Sequence, residues 1–143
     1  MSMIDISNKE AVHRTAVASG KIFLLQNTLQ QIREKKIKKG DPLTVGQTAA
    51  ILAVKQTPTL IPFCHPIRIT SVNVRFTVEQ EYIEAICEVA AVEKTGVEME
   101  ALVGVTNALN TVWDMVKYLE KDAKGQYPNT QITDIRVLSK QKG

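Results

Sequence analysis

Between Thr95 and Leu119 the sequence TGVEMEALVGVTNALNTVWDMVKYL spaces Leu102, Val105, Leu109, Val112, Val116 and Leu119 at alternating steps of three and four. That period draws one continuous apolar stripe along a helix, and the stripe has to be buried. A helix of this length makes the core of a small fold, because the other elements must supply the surface that covers it. Thr95 followed three residues later by Glu98 has the form of a capping box, which predicts a helix start at Thr95. Toward the far end Asp114 and Lys117 stand three apart and share a face away from the centre of the stripe. The plain reading is a solvated ion pair, yet the flanking Trp113, Met115 and Val116 are unusually apolar company for one.

The other elements can be read in chain order. Val12, Arg14, Ala16 and Ala18 alternate with their neighbours up to Gly20 and predict a first strand. Leu25, Leu29 and Ile32 predict a helix running into the basic stretch Lys35-Lys36, where cations complement the dipole and face water. Lys39 differs, because Gly40-Asp41-Pro42 sets it on a constrained turn. Asp41 then Pro42 starts a second helix through Val45, Ala49, Leu52 and Ala53 to Lys55, and Thr57-Pro58 stops it. Leu60 to Pro66, LIPFCHP, is bracketed by prolines and is expected to form a rigid, buried connection. From Ile67 the period is two, with a change of phase near Thr70 to Val72 that predicts a β-bulge. Ile83, Ala85, Cys87, Val89 and Ala91 form the hairpin partner across Glu79-Gln80-Glu81. Ile132, Ile135 and Val137 give a last strand before a basic tail. The expected fold is an α+β sandwich on the ferredoxin-like plan, a four-stranded antiparallel sheet with helices packed on one face, residues 1–143 forming a single domain.

Composition narrows the class. With 44% hydrophobic residues the chain suits a globular protein. No stretch nears the roughly 18 apolar residues of a membrane span, and Met1 to Lys9 has no signal-peptide core, so a cytoplasmic location away from membranes is expected. A formal charge of +3 is too small to point to nucleic acid, but it suits an anionic small molecule if the cations converge. An RNA-binding sheet would need aromatic residues on its central strands, and the hairpin offers only Phe76 and Tyr82. Cys64, Cys87, His13 and His65 have no zinc-site spacing, so neither a metal nor another cofactor is expected. Cys64 beside His65 is a poor nucleophile and base pair, since adjacent residues of an extended chain point apart. His65 itself reads two ways, as a hydrogen-bonded core histidine or as a catalytic group whose backbone the flanking prolines fix.

Four motifs taken together, KGD at Lys39 to Asp41, LIPFCHP at Leu60 to Pro66, TGVEMEAL at Thr95 to Leu102 and WDMVK at Trp113 to Lys117, resemble the MoaC family, the cyclic pyranopterin monophosphate synthases of molybdenum cofactor biosynthesis. The opening DIS and the Lys9 to Arg14 region extend the resemblance over nearly the whole chain. It implies a phosphorus–oxygen lyase that rearranges the cyclised dihydro-GTP, 3′,8-cyclo-7,8-dihydroguanosine 5′-triphosphate, to cyclic pyranopterin monophosphate with release of pyrophosphate. It also implies catalytic roles for Lys39, His65, Glu98, Asp114 and Lys117, phosphate contacts from Arg14 and Lys55, and further substrate contacts from Cys64, Met99 and Glu100. A homohexamer built as a trimer of dimers, with the active site at a subunit interface, is implied as well. Pro42 after the KGD aspartate, Ala49-Ala50 in place of Ala-Gly, and a tail without the KSGGKSG type of ending depart from the family pattern. The last of these weakens any role for the C-terminus.

Residue chemistry supports the same reading. Without a GxxxxGK[ST] loop, a triphosphate needs converging cations, and Arg14, Lys39, Lys55 and Lys117 can supply them. Ring opening and reclosure need proton transfers, for which an Asp beside a Lys is suited, and cations stabilise charge on phosphoryl oxygens. A non-catalytic purine-nucleotide-binding module of the same fold is the alternative; the presence of both Asp114 and Lys117 favours the enzyme. Along a straight helix Glu100 and Asp114 are about 21 Å apart, too far for one small ligand. If both ends serve one reaction, a second copy must bring its acidic end to the first copy's Asp114 and Lys117. Otherwise Glu98 is only the capping partner of Thr95.

Overall fold

Alternation of small and large residues builds the sheet. In a computed structural model describing residues 1–143, Ile83, Ala85, Cys87, Val89 and Ala91 of β3 (Tyr82–Glu93) are fully buried, while the residues between them are not. On β1 (Val12–Phe23) the same face carries Ala16, Ala18, Gly20 and Ile22. β1 therefore runs past Gly20, where the alternation appeared to stop. A Cβ at Gly20 would collide with Ile135 and lie 2.9 Å from both Leu109 and Val105, so the missing side chain admits the long helix.

The full order is β1, α1 (Gln26–Arg33), α2 (Pro42–Lys55), the single turn α3 (Thr57–Leu60), β2 (Ile69–Val78), β3, α4 (Glu98–Glu120) and β4 (Gln131–Lys142). The four strands are antiparallel in the order β2-β3-β1-β4, the arrangement of a ferredoxin-like sandwich. The β2–β3 register shifts between Ile69 and Ser71, where the change of phase places a bulge. α4 buries Ala101, Val105, Ala108, Leu109, Val112, Met115 and Val116 against the sheet and α2, and Gly104 lets it approach Val54 and Cys87.

Three expectations need correction. α4 begins at Glu98, and Thr95 does not cap it; Val97 precedes the first turn with no side-chain cap. Glu98 and Glu100 instead place negative charge at the positive end of the helix dipole. The connection after Pro58 is not buried, with Leu60 at 56% and Phe63 at 49% exposure, because no element of the same chain lies over it. The basic tail is not free, since β4 continues to Lys142 and pairs it with Arg14 of β1.

Candidate active site at the two ends of the long helix

The turn after α1 delivers a cation to α4. Gly40 has a φ of +121°, which a side chain would strain, and Asp41 then caps α2 by accepting from Leu43 N (3.1 Å) and Thr44 Oγ1 (2.8 Å). Tyr118 Oη accepts from the Lys38 backbone N–H at 3.0 Å and pins the turn against α4. So held, Lys39 donates from Nζ to Asp114 Oδ2 at 3.2 Å and to the Asp114 carbonyl at 3.1 Å. Lys117 Nζ lies 3.0 Å from the other carboxylate oxygen. One carboxylate thus bridges two ammonium groups, with Trp113 and Tyr127 in edge contact alongside, ring centroids 5.2 Å apart.

This cluster faces water. Asp114 is 59% exposed, so its neighbours do not desolvate the pair as the apolar flanks suggested. Hydrogen bonds from Lys117 and then Lys39 hold the Asp114 carboxyl below the ordinary aspartate range, and the same contact with Asp114 raises Lys117. In the free protein both groups are charged near neutrality, which makes Lys117 a cation and proton donor rather than a base.

At the opposite end of α4 a cleft of about 360 Å³ is lined by Phe63, Cys64 and His65, by Gly96, Glu98, Met99 and Glu100, and by Ser2, Ile4, Ile6 and Lys9 of the N-terminal arm. Glu100 is 3% exposed, and burial followed by the charge of Glu98 pushes its carboxyl above the usual range. Burial and then the two glutamates also raise the Cys64 thiol, which favours its protonated form. Glu98 Oε1 is 3.2 Å from Lys140 Nζ of β4, and its Oε2 is buried without a partner. Gly96 leaves the room this carboxylate fills, since a Cβ there would collide with Oε2.

The structure therefore gathers the expected residues into two groups, Lys39 with Asp114 and Lys117, and Cys64 and His65 with Glu98, Met99 and Glu100. Sixteen residues of helix, about 24 Å, separate Glu98 from Asp114. Arg14 and Lys55 join neither group. Arg14 is 6% exposed and donates from Nε to the Glu93 carbonyl at 2.8 Å, while Lys55 ends α2 in solvent. Lys140 was missed, and so was the arm. Nothing in the spacing of the tail announces Lys140, whose place depends on β4 pairing with β1 to its end.

The chain is similar to known proteins over nearly its whole length. A model described as the MoaC family matches residues 3–143. A Pyrococcus abyssi protein named probable cyclic pyranopterin monophosphate synthase is 56% identical over 142 residues, covering 99% of this chain and 89% of that protein. An Aeropyrum pernix protein of the same name is 55% identical over 141 residues, covering 99% and 97%. A Methanothermobacter thermautotrophicus protein named probable cyclic pyranopterin monophosphate synthase accessory protein is 52% identical over 140 residues, covering 98% and 88%.

Proposed function

This chain belongs to the MoaC family, and from that premise we propose how it makes cyclic pyranopterin monophosphate in molybdenum cofactor biosynthesis. The substrate is the cyclised dihydro-GTP. A hydroxyl oxygen of its sugar bonds to the α-phosphorus as the phosphorus–oxygen bond to the β-phosphate breaks, the hydroxyl proton passes to the departing pyrophosphate, and this elimination makes the enzyme a phosphorus–oxygen lyase. The observation that carries this reading is the single Asp114 carboxylate bridging the Lys39 and Lys117 ammonium groups. Two cations held side by side match the charge that builds on phosphoryl and pyrophosphate oxygens. Lys117, kept protonated by Asp114, can donate its proton during rearrangement of the ring.

The cleft at the other end of α4 supplies the complementary groups. Glu98 offers a hydrogen-bond acceptor with one oxygen unpartnered, and Glu100, its carboxyl raised by burial, lines the same cleft. These suit the N–H and carbonyl edges of a purine-derived ring, with Cys64 and Met99 as its apolar contacts and Arg14 and Lys55 in reserve for the phosphates. Since the two groups lie about 24 Å apart, one site takes its ring-binding half from one subunit and its phosphate half from another. The exposed Leu60 and Phe63, beside the cleft, are surface that a second copy would cover. A homohexamer arranged as a trimer of dimers satisfies this need, each subunit one domain of residues 1–143, working in the cytoplasm without metal or cofactor; no helix is long and apolar enough to cross a membrane.

The test is direct. Supplying purified cyclic dihydro-GTP and measuring pyrophosphate and the pterin product should show stoichiometric formation of both. Tight binding without either product would assign the chain to the alternative, a purine-nucleotide-binding module.

A further inference from the structure

The arm before β1 has neither helix nor strand, yet it is tied down and forms part of the cleft wall. Asp5 Oδ1 accepts from Ser7 N at 2.8 Å, the Ile6 carbonyl accepts from Lys9 N at 3.0 Å, and Lys94 Nζ reaches the Ser7 carbonyl at 3.4 Å. Beyond these ties the arm meets one titratable ring: His65 Nε2 lies 2.8 Å from the Ile4 carbonyl oxygen. A backbone carbonyl only accepts, so Nε2 carries the hydrogen, and in the neutral ring the free lone pair is then on Nδ1. Nδ1 has no hydrogen-bond partner within the chain.

We propose that the Ile4 carbonyl is a positioning group that locks His65 in the Nε2–H tautomer, so that Nδ1 acts as the proton acceptor of the reaction. The proposal rests on the reading that His65 belongs to the active site. It decides between two roles, since a neutral ring held this way presents a lone pair, and a phosphate oxygen would meet no donor there. When substrate loses a proton, the proton passes to Nδ1 and the electron pair stays on the substrate atom. The resulting imidazolium keeps its Nε2–H on the Ile4 carbonyl, in a cleft that also holds Glu98 and Glu100. This is the arrangement of a base with an orienting partner behind it, with main chain in place of a carboxylate. Pro66 restricts the His65 backbone directly and Pro62 stiffens the segment before it, and the arm then sets the ring.

Two measurements on the protein test it. In ¹⁵N-labelled full-length chain at neutral pH, two-bond ¹H–¹⁵N correlations of the imidazoles, assigned with a His13→Gln variant, should show His65 with Nε2 protonated and Nδ1 bare. A dominant Nδ1–H tautomer would overturn the proposal, and this reading needs no altered arm. A variant lacking residues 2–6 should then show exchange between tautomers and a kcat lower by about tenfold or more, with KM moving less. Wild-type kcat in a folded variant would equally overturn it. If that variant fails to fold, the full-length spectrum still decides. His65→Ala separates the two levels: retained turnover there would remove His65 from the site, whereas lost turnover with the wrong tautomer would refute only the role of Ile4.

Discussion

Lys39 and Asp114 are 75 positions apart in sequence, and the ammonium nitrogen of one lies 3.2 Å from the carboxylate of the other. Lys117 takes the second oxygen at 3.0 Å, so removing one charge releases two cations from a shared anchor. Asp114→Asn should therefore lower kcat by about two to three orders of magnitude, the usual weight of a positioned proton-transfer group. Exposed pairs contribute little to folding, so the melting temperature should barely move. A large drop in melting temperature alongside the lost activity would make the cluster structural instead.

The same contacts define a pH window. Asp114 is held below its ordinary 3.8 by hydrogen bonds from Lys117 and Lys39, so its contribution is complete above that value and disappears as pH falls through the lower folded value. Lys117 is raised above 10.5 by Asp114, so its contribution is complete below that value and disappears as pH rises through the higher folded value. A ¹³C titration should find the Asp114 carboxyl titrating below 3.8, and Lys117→Ala should move it back toward that value. No movement would mean that the pair is open in solution.

Glu120 is a different kind of carboxylate. It is 2% exposed at the end of α4, and it accepts from Leu25 N at 3.0 Å, from Thr130 Oγ1 at 2.6 Å and from Thr28 Oγ1. These bonds tie α4 to the start of α1 and to the loop before β4. Glu120→Ala strands the buried Thr28 and Thr130 hydroxyls and the half-buried Leu25 N–H, and should destabilise the fold by about 3 kcal/mol. Urea unfolding measures this directly, and a loss below about 1 kcal/mol would show that water replaces the carboxylate.

Much of this architecture was legible because it depends on local chemistry. The Asp41-Pro42 helix start, the bulge after Ile69 and the buried alternation of β3 each follow from residues within a few positions of one another. What depended on distant pairing was not legible. Gly20 looked like the end of a strand because the helix it admits arrives 85 residues later, at Val105. Thr95 looked like a cap because Lys140, which pairs with Glu98 instead, is brought there only by β4 lying beside β1. The Asp114–Lys117 pair could be read from helical spacing, whereas the Lys39 contact needed the turn at Gly40.

The separation along α4 leads to the most decisive experiment. Glu98 and Lys117 lie 19 residues apart on one helix, roughly 28 Å, and no bend brings them together. If each site stands alone, one of the two groups is dispensable, and either Glu98→Gln or Lys117→Ala should retain turnover. If sites are shared across a two-fold axis, each substitution should abolish activity by itself. Mixing the two inactive variants then makes mixed dimers with one site carrying both substitutions and one carrying neither. After subunit exchange, confirmed by mass spectrometry of labelled chains, activity should return to about a quarter of the wild-type value, since half the dimers formed at random are mixed and half their sites are intact. Confirmed exchange with no recovered activity would rule out sharing and leave one end of the helix with a structural role only.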